Sequence, residues 1–161
     1  MLARIHELAA RRSSVPQTIL RLLLGVMLTF TGINHLTVAR VEFLAQVPLW
    51  VPLDADLVVV LSGIAEIALG LALILLPRQR ILTGLATAAF FVLIFPGNIS
   101  QYVNQVDGFG LTTDEARLAR LFFQPLLVAW ALWSTDAWRV FLRTGGSGRA
   151  GADPQGDVRD A

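Results

Sequence analysis

Seven side chains in this sequence carry chemistry inside, or at the edge of, long apolar runs: His35, Ser62, Glu66, Asn98, Gln101, Arg120 and Gln124. Thr29, Asn34, Tyr102 and Arg117 lie on the same runs. In hydrocarbon each such group needs a partner or a water-lined cavity, and an ionisable one marks function by default. Ser62 and Glu66 are four residues apart, while Arg117, Arg120 and Gln124 step by three and four, so each set shares one helix face. Histidine and amide donors beside apolar walls suit the headgroup of a lipid quinone. The carboxyl of Glu66 suits a proton carrier. The competing role is packing: Ser, Asn, Gln and His bond across membrane helices and fix them together. For Asn34, Asn98 and Gln124 taken singly that is the simpler role, and a lone histidine is more often structural than functional.

Other chemistries are excluded by what is missing. The sequence has no cysteine, which removes disulfides, thiolate-bound metals and thiol catalysis. His35 and Glu66 are the only good metal ligands within the apolar runs, so no metal site is expected. Haem held by two histidines needs both in the membrane, and His6 lies outside the runs. No phosphate loop, nucleotide fingerprint or Ser/His/Asp spacing occurs, so the catalytic residues stay unknown and no intrinsic catalytic activity is expected. A net charge of +1 with scattered arginines argues against nucleic-acid binding. All 13 basic residues are arginine, which reads as coding bias.

The solvent of the chain follows from composition. Of 161 residues 55% are hydrophobic and 16% charged, against about half and about a quarter in soluble domains. A span needs roughly 20 apolar residues. Four windows qualify: 22–39 without a formal charge, 57–76 with Glu66 as its one acid, 81–99 without charge, and the shorter 121–135. The last is extended by Arg120 and Trp138 reaching toward the interfaces. The spacing of caps agrees. Ser14 with Gln17 forms a capping box around Pro16, Asp54 and Asp56 precede the second span, Pro77 closes it, and Thr112 with Glu115 forms a second box. Helices are predicted to begin near residues 17, 56, 80 and 113. The expected architecture is an all-α, antiparallel four-helix bundle in a membrane, with spans at about 17–37, 56–76, 80–100 and 117–140.

Around this membrane domain of residues 17–143 lie two smaller pieces. Residues 1–16 place Leu2, Ile5, Leu8 and Ala9 on one side of an interfacial helix. Residues 144–161 contain five glycines and no aromatic residue, and are expected to be disordered. The first span is too long for the apolar core of a signal peptide and is read as retained. Ten arginines flank one side of the spans and three (Arg40, Arg117 and Arg120) the other, which places both termini in the cytoplasm. The outer segment 37–56, with Phe43, Leu44, Val47, Leu49, Trp50 and Val51, is too apolar for a free loop. It is expected to lie on the membrane surface or cap the bundle. The polar groups fall in the outer half and leave the cytoplasmic half almost purely apolar. Glu66 is expected about a turn and a half deeper than His35, within reach of His35, Asn98, Arg120 or Gln124.

Five pieces, in order over roughly residues 20–135, resemble the DoxX-like family of small membrane proteins. They are Gly32-Ile33-Asn34-His35; Phe43-Leu44 with Val47-Pro48; the run from Leu61 through Glu66 to Gly70; Phe95-Pro96-Gly97-Asn98; and Arg120 to Gln124 leading to Trp130. The resemblance implies a left-handed four-helix bundle of the cell (inner) membrane with these His, Glu, Asn and Gln positions facing inward. It also implies a role as accessory subunit or partner of a membrane oxidoreductase, linked to quinone or oxidative stress. The partner protein would carry any thiol step. Two alternatives stay open: a small-molecule or proton-coupled transporter built on Glu66, and a structural or assembly factor whose polar cluster only fixes the packing.

Overall fold

The computed structural model describes residues 5, 8, 10–44, 46–108, 110 and 113–142, and among these every regular element is helical. Helix α1 (Val15–Leu36) starts at Ser14, whose hydroxyl accepts from Gln17 N at 3.4 Å while the Gln17 side chain accepts from Ser14 N at 3.0 Å. Pro16 sits in the first turn, where its missing N–H costs no helical bond. A short helix α2 (Arg40–Leu44) follows. Helix α3 (Ala55–Leu75) is capped by Asp54, which accepts from Leu57 N at 3.0 Å. Pro77 then opens a tight 3-10 turn, Pro77–Gln79, leading to α4 (Arg80–Val103). Helix α5 (Asp114–Ser134) ends where Asp136 takes a left-handed backbone, φ 62°, and turns the chain into a second 3-10 segment, Ala137–Val140.

One expectation differs from the structure. The cap of α5 is Thr113, accepting from Ala116 N at 3.3 Å, so Glu115 is not the box partner three residues on. Residues 111–112 lie outside the described residues, as do 1–4, 6, 7, 9 and 143–161, where most of the interfacial segment and all of the predicted tail fall. Ile5 and Leu8 are described, and both are buried against Ile81 and Ala137 as a satellite core.

Glycines bring α1 and α3 together. A Cβ on Gly25 would meet Gly70 O at 2.8 Å, and one on Gly32 would meet Gly63 O at 2.6 Å. Residue numbers rise on α1 as they fall on α3, so the pair is antiparallel, with backbones as close as small residues permit. Helices α4 and α5 pair likewise, Gly84 lying against Thr135 and Phe91 against Gln124. Contacts of α1 with α5 and of α3 with α4 join the two pairs. Leu24, Leu28, Leu73, Phe91 and Ala131 form the central core.

Among the described residues three helical segments are long and apolar enough to cross a membrane: Val15–Leu36, Ala55–Leu75 and Pro77–Val103. Helix α5 falls short because Asp114, Glu115, Arg117 and Arg120 occupy its first two turns. The helices are inverted relative to a water-soluble protein. Phe30, Leu61, Leu93, Phe122 and Leu126 are exposed, while Arg21, Glu66, Arg80, Asn98, Gln101 and Gln124 are buried. In water such faces would be a large apolar patch, whereas in lipid they match the solvent.

Candidate functional site

His35, in the last turn of α1, and Glu66, midway along α3, meet because the two helices touch at glycine. A Cβ on Gly63 would lie 2.7 Å from that of His35, so His35 stands level with Gly63. Glu66 is three residues further along, or about 4.5 Å at the helical rise per residue. It is therefore less than a turn deeper than His35, not a turn and a half. His35 Nδ1 lies 3.1 Å from Glu66 Oε2, and both side chains are buried. The same nitrogen lies 3.0 Å from Thr31 O, where it meets the backbone in hydrogen-bonding geometry. Glu66 Oε2 is buried and receives no hydrogen bond among the described residues. On its other side the imidazole stacks on Phe43 of α2, with centroids 3.3 Å apart and planes at 17°.

The second group lies between α4 and α5. Asn98 Nδ2 donates to Gln124 Oε1 at 3.0 Å, and Gln124 Nε2 donates to Phe91 O at 2.6 Å. Gln124 thus ties its own helix to the backbone of α4 within two turns of Pro96, which removes one bond of that helix. Arg120 reaches Gln101 Oε1 at 3.4 Å, and Gln101 Nε2 is buried without an acceptor among the described residues. The site residues therefore fall into two sets, His35 with Glu66 and Asn98 with Gln101, Arg120 and Gln124. Ser62 is half-buried and bonded to neither. Thr29 and Asn34 turn back onto Gly25 O and Phe30 O of their own helix. Arg117 pairs with Asp107 and Asp114 at the mouth of α5.

One loop covers both sets. Phe43 closes over His35, and the carbonyl of Gln46 would lie 2.6 Å from a Cβ on Gly97, next to Asn98. Gln46 Nε2 is itself buried and unbonded among the described residues. Arg40 and Asp56 form a two-point ion pair that fastens α2 to the start of α3. The Asp56 hydrogen bond raises the Arg40 pKa above its ordinary value. Leu49 is 99% exposed and Trp50 71%, so the loop both caps the helices and presents an apolar outer edge.

The opposite end corrects a further expectation, because it is not purely apolar. Asp136 accepts from Gln17 Nε2 at 2.8 Å and from Arg139 Nε at 3.0 Å, with Arg80 3.8 Å away. Arg80 also donates to Leu8 O at 3.0 Å and Arg11 O at 2.7 Å. Arg21 donates to Leu73 O. Counting Arg21 and Arg80 only as topology signals hid that both fold inward. The clue was Pro77, whose missing N–H leaves the carbonyl of Leu73 in need of a donor.

Among the described residues no three His, Asp or Glu side chains gather as a metal site. What the first site offers is a buried acceptor on Glu66, an imidazole beside it, and amide donors under the same loop. A family model described as a domain of unknown function (DUF8561) matches residues 24–135, a stretch holding His35, Glu66, Asn98, Gln101, Arg120 and Gln124. No curated protein and no solved structure matches the chain.

Proposed function

From a chain that belongs to the DUF8561 family, whose description states no activity, we propose a function on geometry: an accessory membrane protein that holds the headgroup of a lipid quinone. The carrying observation is the buried His35–Glu66 pair, 3.1 Å apart, with a carboxylate oxygen that takes no hydrogen bond. A quinol hydroxyl is a donor for Glu66 Oε2, and quinone carbonyls are acceptors for Gln101 Nε2 and Gln46 Nε2. The isoprenoid tail belongs among the exposed apolar helix faces. The architecture in this reading is an antiparallel four-helix bundle of the inner membrane, with both termini cytoplasmic. Arg117 and Arg120 draw the first turns of α5 out to the interface, so that its remainder spans as the fourth helix. The role is that of the DoxX-like proteins it resembles, as partner to an oxidoreductase that supplies the redox step.

The test is direct. The full chain in nanodiscs is titrated with a short-tailed ubiquinone analogue, following quenching of tryptophan fluorescence, and a deletion strain is challenged with oxidants. Saturable binding that is lost in Glu66→Gln supports the reading. Absence of quinone binding together with normal oxidant tolerance sinks it.

A further inference from the structure

The end of the molecule away from His35 is built of cations. Among the described residues Arg11, Arg12, Arg21, Arg78, Arg80 and Arg139 gather there, and Asp136 is the only acid. The other end has the reverse balance, with Glu42, Asp54, Asp56, Asp107, Asp114 and Glu115 against Arg40, Arg117 and Arg120. Asp136 is already engaged: one oxygen accepts from Gln17 and Arg139, and the other faces Arg80 at 3.8 Å. It has nothing left for Arg21.

Arg21 is 5% exposed and reaches a backbone carbonyl, that of Leu73, rather than a carboxylate. Its Nε is buried with no acceptor among the described residues. The indole Nε1 of Trp138, whose ring lies 5.2 Å from the Arg139 guanidinium, is likewise buried and unbonded among the described residues. Both atoms are donors, so the species that satisfies this end is an acceptor, and the surplus positive charge makes it an anion. Around the buried arginines, Arg11, Arg12 and Arg78 stand exposed as a rim.

The neighbours of that rim decide which anion. Val15 is 73% exposed beside Arg12, and Leu75 66% beside Arg78. The apolar belt begins within one helical turn of the arginines. An inorganic anion would use the charge and leave these side chains bare, whereas a phosphodiester carrying acyl chains uses both. We infer that this arginine end binds the phosphodiester headgroup of an anionic phospholipid, with its acyl chains lying along the ends of α1 and α3. The inference requires membrane insertion and is independent of quinone binding at the other end.

The full chain is reconstituted in nanodiscs of phosphatidylcholine with and without phosphatidylglycerol, and retained lipids are counted by native mass spectrometry after gentle extraction. Each arginine near an anionic surface contributes a preference of about fivefold. The double variant Arg12→Gln, Arg78→Gln changes only exposed positions and should lower the preference for phosphatidylglycerol by roughly 25-fold. The double variant Arg40→Gln, Asp56→Asn removes an ion pair but no net charge at the opposite end and should leave it unchanged. Equal retention of the two lipids, an unaltered Arg12/Arg78 variant, or an equal loss in the Arg40/Asp56 variant overturns the inference. So does inorganic phosphate, added in neutral detergent, if it raises the thermal midpoint as much as phosphatidylglycerol does.

Discussion

His35 Nδ1 and Glu66 Oε2 face each other at 3.1 Å across a seam whose spacing is set by Gly32 and Gly63. The histidine also meets its own backbone at Thr31 and is stacked by Phe43, so three elements fix the ring. The carboxylate is far less constrained. An oriented imidazole beside an under-bonded acid is a site prepared for a donor, and it makes Glu66 the residue whose chemistry and packing separate most cleanly.

Replacing Glu66 with Leu should therefore harm binding more than folding. Removing one partner of a buried pair is costly when the other is left unbonded, but His35 Nδ1 keeps Thr31 O as its partner. Quinone-analogue affinity is expected to fall at least about tenfold, the worth of one good hydrogen bond. The thermal midpoint should stay within a few degrees. A Glu66→Leu protein with full affinity would remove Glu66 from the site.

Gly63 supplies the complementary case. A Cβ there would lie 2.7 Å from His35 Cβ and 3.0 Å from Gly32 O, and the backbone atom cannot swing aside. Gly63→Ala should part α1 from α3 and cost about 1–3 kcal/mol, as overpacking does. Stability and binding should fall together. At Gly97 the obstruction is the Gln46 carbonyl in the covering loop, at 2.6 Å. Gly97→Ala is expected to loosen the loop and weaken binding while the thermal midpoint moves less than in Gly63→Ala. Equal midpoint losses would mean the loop is part of the core.

Which parts of this were legible in the sequence follows from what each signal measures. Helix starts were readable because Ser14, Asp54 and Pro77 act through the backbone next to them. The inward direction of Glu66, Asn98 and Gln124 was readable because lipid punishes the alternative. Cross-helix register was not, since it depends on how closely backbones approach, and glycines at 25, 32, 63 and 70 state that closeness only once their partners are known. This is why His35 and Glu66 came out closer in depth than expected. Arg21 and Arg80 misled because charge counting treats an arginine near a span end as solvated, whereas both are 5% exposed. The cap at Thr113 was missed by one residue because adjacent threonines offer the same oxygen.

Topology rests on the unequal ends. Reporter fusions after residue 142 are expected to be active in the cytoplasm, and a fusion placed within 48–53 to be active outside. The loop between α4 and α5, with Asp107 paired to Arg117, should be reachable from outside by a membrane-impermeant label on a cysteine placed at Gln105. A C-terminal reporter active only outside would mean that α5 does not cross.

The C-terminal end of α3 is capped by a side chain of a different helix. The carbonyl of Leu73 would bond the N–H of residue 77, but that residue is proline, and the guanidinium of Arg21 donates to it instead. The positive group also meets the negative end of the α3 dipole. Arg21→Met keeps the apolar stem and removes the donor, leaving a buried carbonyl unpaired at a cost of about 1–3 kcal/mol. The damage should be local, with backbone amides in the last turn of α3 exchanging faster while those around Glu66 keep their protection. Pro77→Ala restores an N–H at the place where one is missing. In the Arg21→Met background it should recover about 1 kcal/mol, whereas in the parent it should recover nothing because Arg21 already fills the role. Strictly additive effects of the two changes would show that Arg21 is not the cap of α3.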